Sequence, residues 1–177
     1  LANEAFASSP QELRADMTSG HDGYIRNLGG YNVEVCPSKP KGLELILKSR
    51  EQVLNAFSDI DLAYVWLWPY DQGGCSCSNC APWGANGFFK ASEPVARLIK
   101  KRYPDAKIVL STWLFDRMIK GEWKAFHERI DANRPDWIDY LIIDGCGSFP
   151  DYPLVSGGPG DFPVLNFPEI SMHGKQP

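Results

Sequence analysis

The 177-residue chain reads as an α/β fold built on parallel strands, a TIM-type (β/α) barrel in partial or truncated form. Three observations predict it. Apolar runs at residues 62–68, 106–113 and 137–143 have the length and the β-branched or aromatic content of strands buried on both faces. Stretches with helical apolar spacing separate them, and strand centres recur roughly every 25 to 45 residues, as βα units do. Acidic residues stand just past several strand ends, where α/β barrels and open sheets place ligand and catalytic groups. A complete barrel takes about 250 residues. The expectation is therefore one partial barrel domain over residues 1–177, internal to a larger enzyme, with residues 1–30 as a polar segment leading into it.

In that polar segment one helical candidate follows Ser9: Pro10, Gln11 and Glu12 suit a first turn, and the pattern runs on to Met17. Residues 21–30, rich in Gly and Asn, read as a loop. Residues 31–36 alternate around Val33 and Val35 as a first strand, which Pro37 and Pro40 stop. Leu43, Ile46, Leu47, Val53, Leu54 and Phe57 recur at helical spacing, and Ser49 with Gln52 forms a capping box that would restart the helix there. After the strand at 62–68, Ser92 caps a helix with Pro94 in its first turn and Val95, Leu98, Ile99 and Tyr103 as its apolar stripe.

Strand 106–113, an amphipathic helix at 119–132 and strand 137–143 come next. Prolines and glycines are too dense for a helix over residues 148–162, and 164–167 form a last short strand. Lys100, Lys101 and Arg102 make a basic helix end that complements the helix dipole from a solvated face. His127 falls mid-helix as half-buried surface, and Cys146 as a small buried residue. No GxGxxG or GxxxxGK(S/T) phrase follows a strand, which weighs against a nucleotide-binding sheet.

Composition narrows the partners. With 44% hydrophobic and 12% aromatic residues the chain is a folded globular protein, and a net charge of -4 gives no drive towards nucleic acid or anionic membranes. No apolar run approaches the roughly 20 residues of a membrane helix, and residues 1–10 lack the pattern of a signal peptide. Five cysteines, three of them within residues 75–80, are not the spread framework of a disulfide-stapled domain. Compartment stays open: periplasmic or extracellular if a parent chain carries a signal peptide. Oligomeric state stays open too.

The chemistry gathers at strand ends. Asp71, Asp116, Asp144 and Glu169 each follow a strand and in a barrel would converge on one mouth, although an acid in that place also serves to cap the next helix. Two carboxylates flanking a glycosidic bond are the minimum equipment for glycoside hydrolysis, with no cofactor required. Asp71 is the first of the pair, and Glu169, before Asp144, the second. Trp68, Tyr70, Trp83 and Trp113 offer aromatic faces to sugar rings, with Asp116 and His173 beside them, while Trp66 is expected in the core. Cys75, Cys77 and Cys80, in a CxCxxC pattern, offer three thiolates to a structural zinc, and Cys36 at the end of the preceding strand is the natural fourth. A free-thiol loop or a local disulfide is the alternative.

The run WPYDQGGCSCSNCAPWGANGF, with EVCPSKPKG before it and LNFPEISM after it, resembles a group of glycoside-hydrolase-like (β/α)8 barrel proteins of gut Bacteroidetes type. It is more distantly similar to the barrel domains of α-glucuronidases and family 20 hexosaminidases. The resemblance implies a barrel, a carbohydrate substrate and a strand-end acid at Asp71. The Asp-Glu tandem of family 20 has no counterpart, because Gln72 follows Asp71. Two other classes compete with a glycosidase: a non-catalytic carbohydrate-binding barrel using the same aromatics, and a metal-stabilised structural module.

Overall fold

Among the described residues four short strands pair in parallel and in chain order: β1 (Tyr64–Leu67), β2 (Lys107–Ser111), β3 (Tyr140–Ile142) and β4 (Val164–Leu165). The computed structural model describes residues 8–16, 34–69, 74–113, 115–116, 120–143 and 158–165. Helices α1 (Pro40–Ala56), α2 (Gly87–Arg102) and α3 (Glu122–Ala132) alternate with the strands, so the chain is an α/β fold with a parallel sheet. The four strands are half the complement of a closed eight-stranded barrel.

Register explains the layering. Trp66 lies opposite Val109 and Val109 opposite Tyr140, while Leu67 lies opposite Leu110 and Leu110 opposite Leu141. Residues opposite one another in a parallel pair share a face. The face of Ile108, Leu110 and Leu141 joins Ile46, Phe88, Val95, Ile99, Phe126 and Ile130 in the main core. Each such side chain, fully buried, contributes roughly 1.5–3 kcal/mol. The other face carries Tyr64 and Trp66, which are 56% and 49% exposed. The expectation that β1 is buried on both faces, with Trp66 in the core, is thereby corrected: among the described residues β1 ends the strand order, with a neighbouring strand on one side only.

Local structure departs from the sequence pattern in other places. α1 starts with Pro40 and runs unbroken through Ser49, so the capping box does not restart it. Ile46 and Leu54 are about two turns apart, and an unbroken helix keeps both on its buried side. α2 opens at Gly87 rather than at Ser92, which is itself buried, because Phe88 and Phe89 enter the core and begin the helix a turn earlier. Pro94 therefore stands in the helix interior, where it forfeits one backbone donor.

The N-terminal helical candidate is only a 3-10 turn at Gln11–Leu13. Beyond it the backbone pairs with the segment expected as the first strand: Arg14 and Val35 form an antiparallel bridge, with Ala15 N donating to Glu34 O at 2.8 Å and Cys36 N to Leu13 O at 2.9 Å. Among the described residues, that expected strand thus pairs with the N-terminal segment and not with β1; residues 31–33 lie outside them. His127 is 6% exposed, not half-buried, and burial lowers its pKa. Cys146 lies outside the described residues, as do residues 166–167 of the last expected strand.

Candidate metal centre

Four cysteine sulfurs from two distant segments meet at one point. The Sγ atoms of Cys36, Cys75, Cys77 and Cys80 all lie within 4.8 Å of one another, with Cys36 at 3.7 Å from Cys80 and 3.8 Å from Cys77. A tight turn brings the last two together: Cys80 N and Ala81 N both donate to Cys77 O, at 2.8 and 2.9 Å. Cys36 reaches them at the end of its extended segment, where the Lys39 N–H ties back to the Cys36 carbonyl at 3.2 Å just before α1. On the far side Asp16 N donates to Cys75 Sγ at 3.3 Å, and Ser76 N to Asp16 O at 2.7 Å.

Trp83 supports the loop from below. A Cβ on Gly74 would lie 2.1 Å from its indole, and one on Gly87 2.2 Å, so two glycines pinch the ring. Gly74, at φ 75°, also has the left-handed backbone that other residues resist. The bend that delivers Cys75 is thus set by a residue with no side chain.

The donor set defines the chemistry. Cys36, Cys75 and Cys80 are buried, Cys77 is half-buried, and all four are free thiols. Burial, with the neighbouring Cys75 thiol, pushes Cys36 up to about 11. Cys75 is raised too, first by its contact with Cys80 and then by burial. Sulfurs so close and so dry resist ionising together unless a cation sits among them. Four cysteines converging in this way fit a thiophilic ion in a closed tetrahedral site, and the cluster is able to hold a metal ion.

Aromatic residues collect at the C-terminal end of β1, a few residues upstream of the cysteines. Trp66 and Trp68 stack at 6.2 Å with a 17° interplanar angle, and Trp68 lies 5.4 Å from Trp113 across the sheet. Two of the expected sugar contacts, Trp68 and Trp113, are therefore neighbours. Trp83 is 3% exposed and packs against Phe88 at 6.3 Å. With Trp66 and Trp68 it lines a cavity of about 340 Å³ between β1, α1 and α2.

Asp116 stands past β2, as expected, but its carboxylate caps α3: Oδ1 accepts from Glu122 N at 2.6 Å and from Trp123 N at 3.4 Å. Asp71, Asp144, Glu169, Tyr70 and His173 lie outside the described residues. Sequence reasoning missed Glu122. It is 2% exposed and accepts from Gly84 N at 3.3 Å and Asp116 N at 3.2 Å, and burial raises its pKa to about 7. Its one signal was its place as an acid in the first turn of a helix.

Fold and site together define an α/β protein of parallel-strand type with a four-cysteine cluster suited to a metal ion. No helix among the described residues is long and apolar enough to cross a membrane. Comparison with family models, with curated proteins and with solved structures finds no match to this chain.

Proposed function

We propose that the chain is part of a glycoside-hydrolase-like barrel in which a structural zinc, held by Cys36, Cys75, Cys77 and Cys80, fixes the segment carrying Asp71 at the C-terminal end of β1. The observation that carries this reading is the four-sulfur cluster immediately downstream of a strand end crowded with indoles. A closed tetrathiolate site leaves no coordination position for substrate, so the ion's contribution is cross-linking alone. Asp71 then acts on the glycosidic oxygen as acid, with Glu169, before Asp144, as the partner carboxylate. Trp68 and Trp113, joined by Tyr70 and His173, hold the sugar ring through its apolar C–H face.

One observation favours a second reading, a non-catalytic carbohydrate-binding barrel: the strand-end indoles of Trp68 and Trp113 lie together while Asp116, the strand-end acid among the described residues, caps a helix. A panel of chromogenic glycosides separates the two. Product release from at least one glycoside, lost by 100-fold or more in Asp71→Asn with the fold intact, supports hydrolysis. Unchanged turnover in that variant removes Asp71 from the chemistry. Saturable binding of an oligosaccharide with no product favours the binding reading.

A further inference from the structure

Beside the cysteine cluster lies a polar chain with no part in sulfur ligation itself. Lys90, in the second turn of α2, donates from Nζ to Asn79 O at 2.5 Å and to Ser38 Oγ at 3.2 Å. Ser38 Oγ lies 3.0 Å from Cys80 Sγ. An ammonium only donates, so Ser38 Oγ accepts from Lys90; the Ser38 hydroxyl proton is then available to Cys80 Sγ, and must point there when that sulfur is a metal-bound thiolate with no proton of its own. The sulfur it meets is fully buried.

We propose that Lys90 and Ser38 are positioning residues of the metal centre, orienting the Cys80 sulfur through the Ser38 hydroxyl and offsetting the charge of the loaded site. The inference rests on the zinc reading given above. Four thiolates around a dication leave a net double negative charge, which is costly in a buried place unless positive groups face it. Lys90 supplies a full charge. The backbone ties the ligand segments to two helix starts: Lys39, the residue before α1, donates its N–H to the Cys36 carbonyl, and Gly87, the first residue of α2, donates its N–H to the Cys80 carbonyl at 3.0 Å. Lys90 also joins the two ligand-bearing segments, because Asn79 lies inside the CxCxxC loop and Ser38 two residues past Cys36.

The test measures zinc affinity by competition with a chromogenic chelator on the whole 177-residue chain, for wild type, Ser38→Ala, Lys90→Met and the double variant. Far-UV circular dichroism checks the fold of each. Ser38→Ala and Lys90→Met are each expected to weaken zinc binding about 10–100-fold, the usual cost of losing an outer-shell partner. The double variant should lose less than the product of the two, because they act as one chain. Ser38→Thr and Lys90→Arg should restore most of the affinity. Cobalt-loaded Ser38→Ala should keep intense thiolate-to-metal bands, since all four sulfurs remain. If wild type binds zinc through four thiolates and both single variants match it within twofold, the outer-shell role is wrong while the zinc reading stands. If wild type binds no zinc, both fall.

Discussion

Asp116 and Glu122 hold one another through reciprocal hydrogen bonds: Glu122 N donates to Asp116 Oδ1 at 2.6 Å, and Asp116 N donates to Glu122 Oε2 at 3.2 Å. Asp116 takes up a φ of 62° to do so. The second oxygen of Glu122 reaches Gly84 N, in the loop that follows the cysteines. One buried carboxyl therefore ties the start of α3 to the end of β2 and to the loop that follows the cysteines.

A pH dependence follows from that burial. Glu122 moves from an ordinary 4.5 to about 7 on folding, with burial the largest cause and the Asp116 charge adding to it against two N–H donors. Between those values the folded chain keeps a proton that the unfolded chain has lost, so stability falls as pH rises through this window. The fall should approach about 3 kcal/mol, from roughly 1.4 kcal/mol per pH unit. Denaturant midpoints measured from pH 4.5 to 8 should show it in wild type and lose most of it in Glu122→Gln. An equal slope in the variant would assign the dependence to another group.

Zinc should stabilise the fold measurably. At free zinc about 1,000-fold above its dissociation constant the gain is about 4 kcal/mol, which for a chain of this size raises the melting temperature by about 10 °C. Elemental analysis should find one zinc per chain, with chelation reversing the shift. In Cys77→Ser the zinc-dependent part of the shift should shrink. A melting temperature indifferent to chelator would contradict the assignment.

Gly74 and Gly121 make a matched pair for separating strain from collision. Both have positive φ, 75° and 90°, but a Cβ on Gly74 would strike the Trp83 ring at 2.1 Å while one on Gly121 meets nothing within 4 Å. Gly121→Ala should cost about 1 kcal/mol. Gly74→Ala should cost roughly 2–4 kcal/mol, strain and overpacking together, and should weaken zinc binding because Cys75 follows it. Equal costs in urea unfolding would mean that Trp83 moves aside freely.

Asp139 should set part of the acid limb. Burial opposes its ionisation, but Ile108 N at 2.8 Å and Lys100 Nζ at 3.0 Å outweigh it and hold the carboxyl below 3.8. The stability it lends is present above that value and lost as pH falls through the lower folded one. Asp139→Asn should cost about 1–2 kcal/mol at neutral pH and flatten the acid side of the profile. A variant that unfolds in acid just as wild type does would show that Asp139 carries little of it.

The parallel α/β arrangement was legible because residues 106–113 and 137–143 are apolar and flanked by helical patterns, and both contain strands of the sheet. The cysteine cluster was legible in part: CxCxxC is a local signal, whereas Cys36 was expected from a strand lying parallel beside β1 and joins the other three although its segment pairs with the N-terminal residues instead. What failed depended on neighbours in space. Trp66 looks like a core residue until β1 is seen at the end of the strand order. Ser92 looks like a cap until Phe88 and Phe89 draw the helix start back to Gly87. Ser38, Lys90 and Glu122 have no spacing to mark them, because their partners lie dozens of residues away or across a backbone bend.

On the zinc reading proposed above, the closeness of Cys36 to Cys77 and Cys80 would place a fork in the maturation of this protein. A two-electron oxidant would couple one such pair and leave two sulfurs, too few to complete a tetrahedral shell, whereas prior metallation withholds the nucleophilic lone pairs from oxidation. Whichever reagent arrives first decides the state that persists. Where oxidising power is high, a zinc-bearing form of the chain would then depend on metal supply during biogenesis.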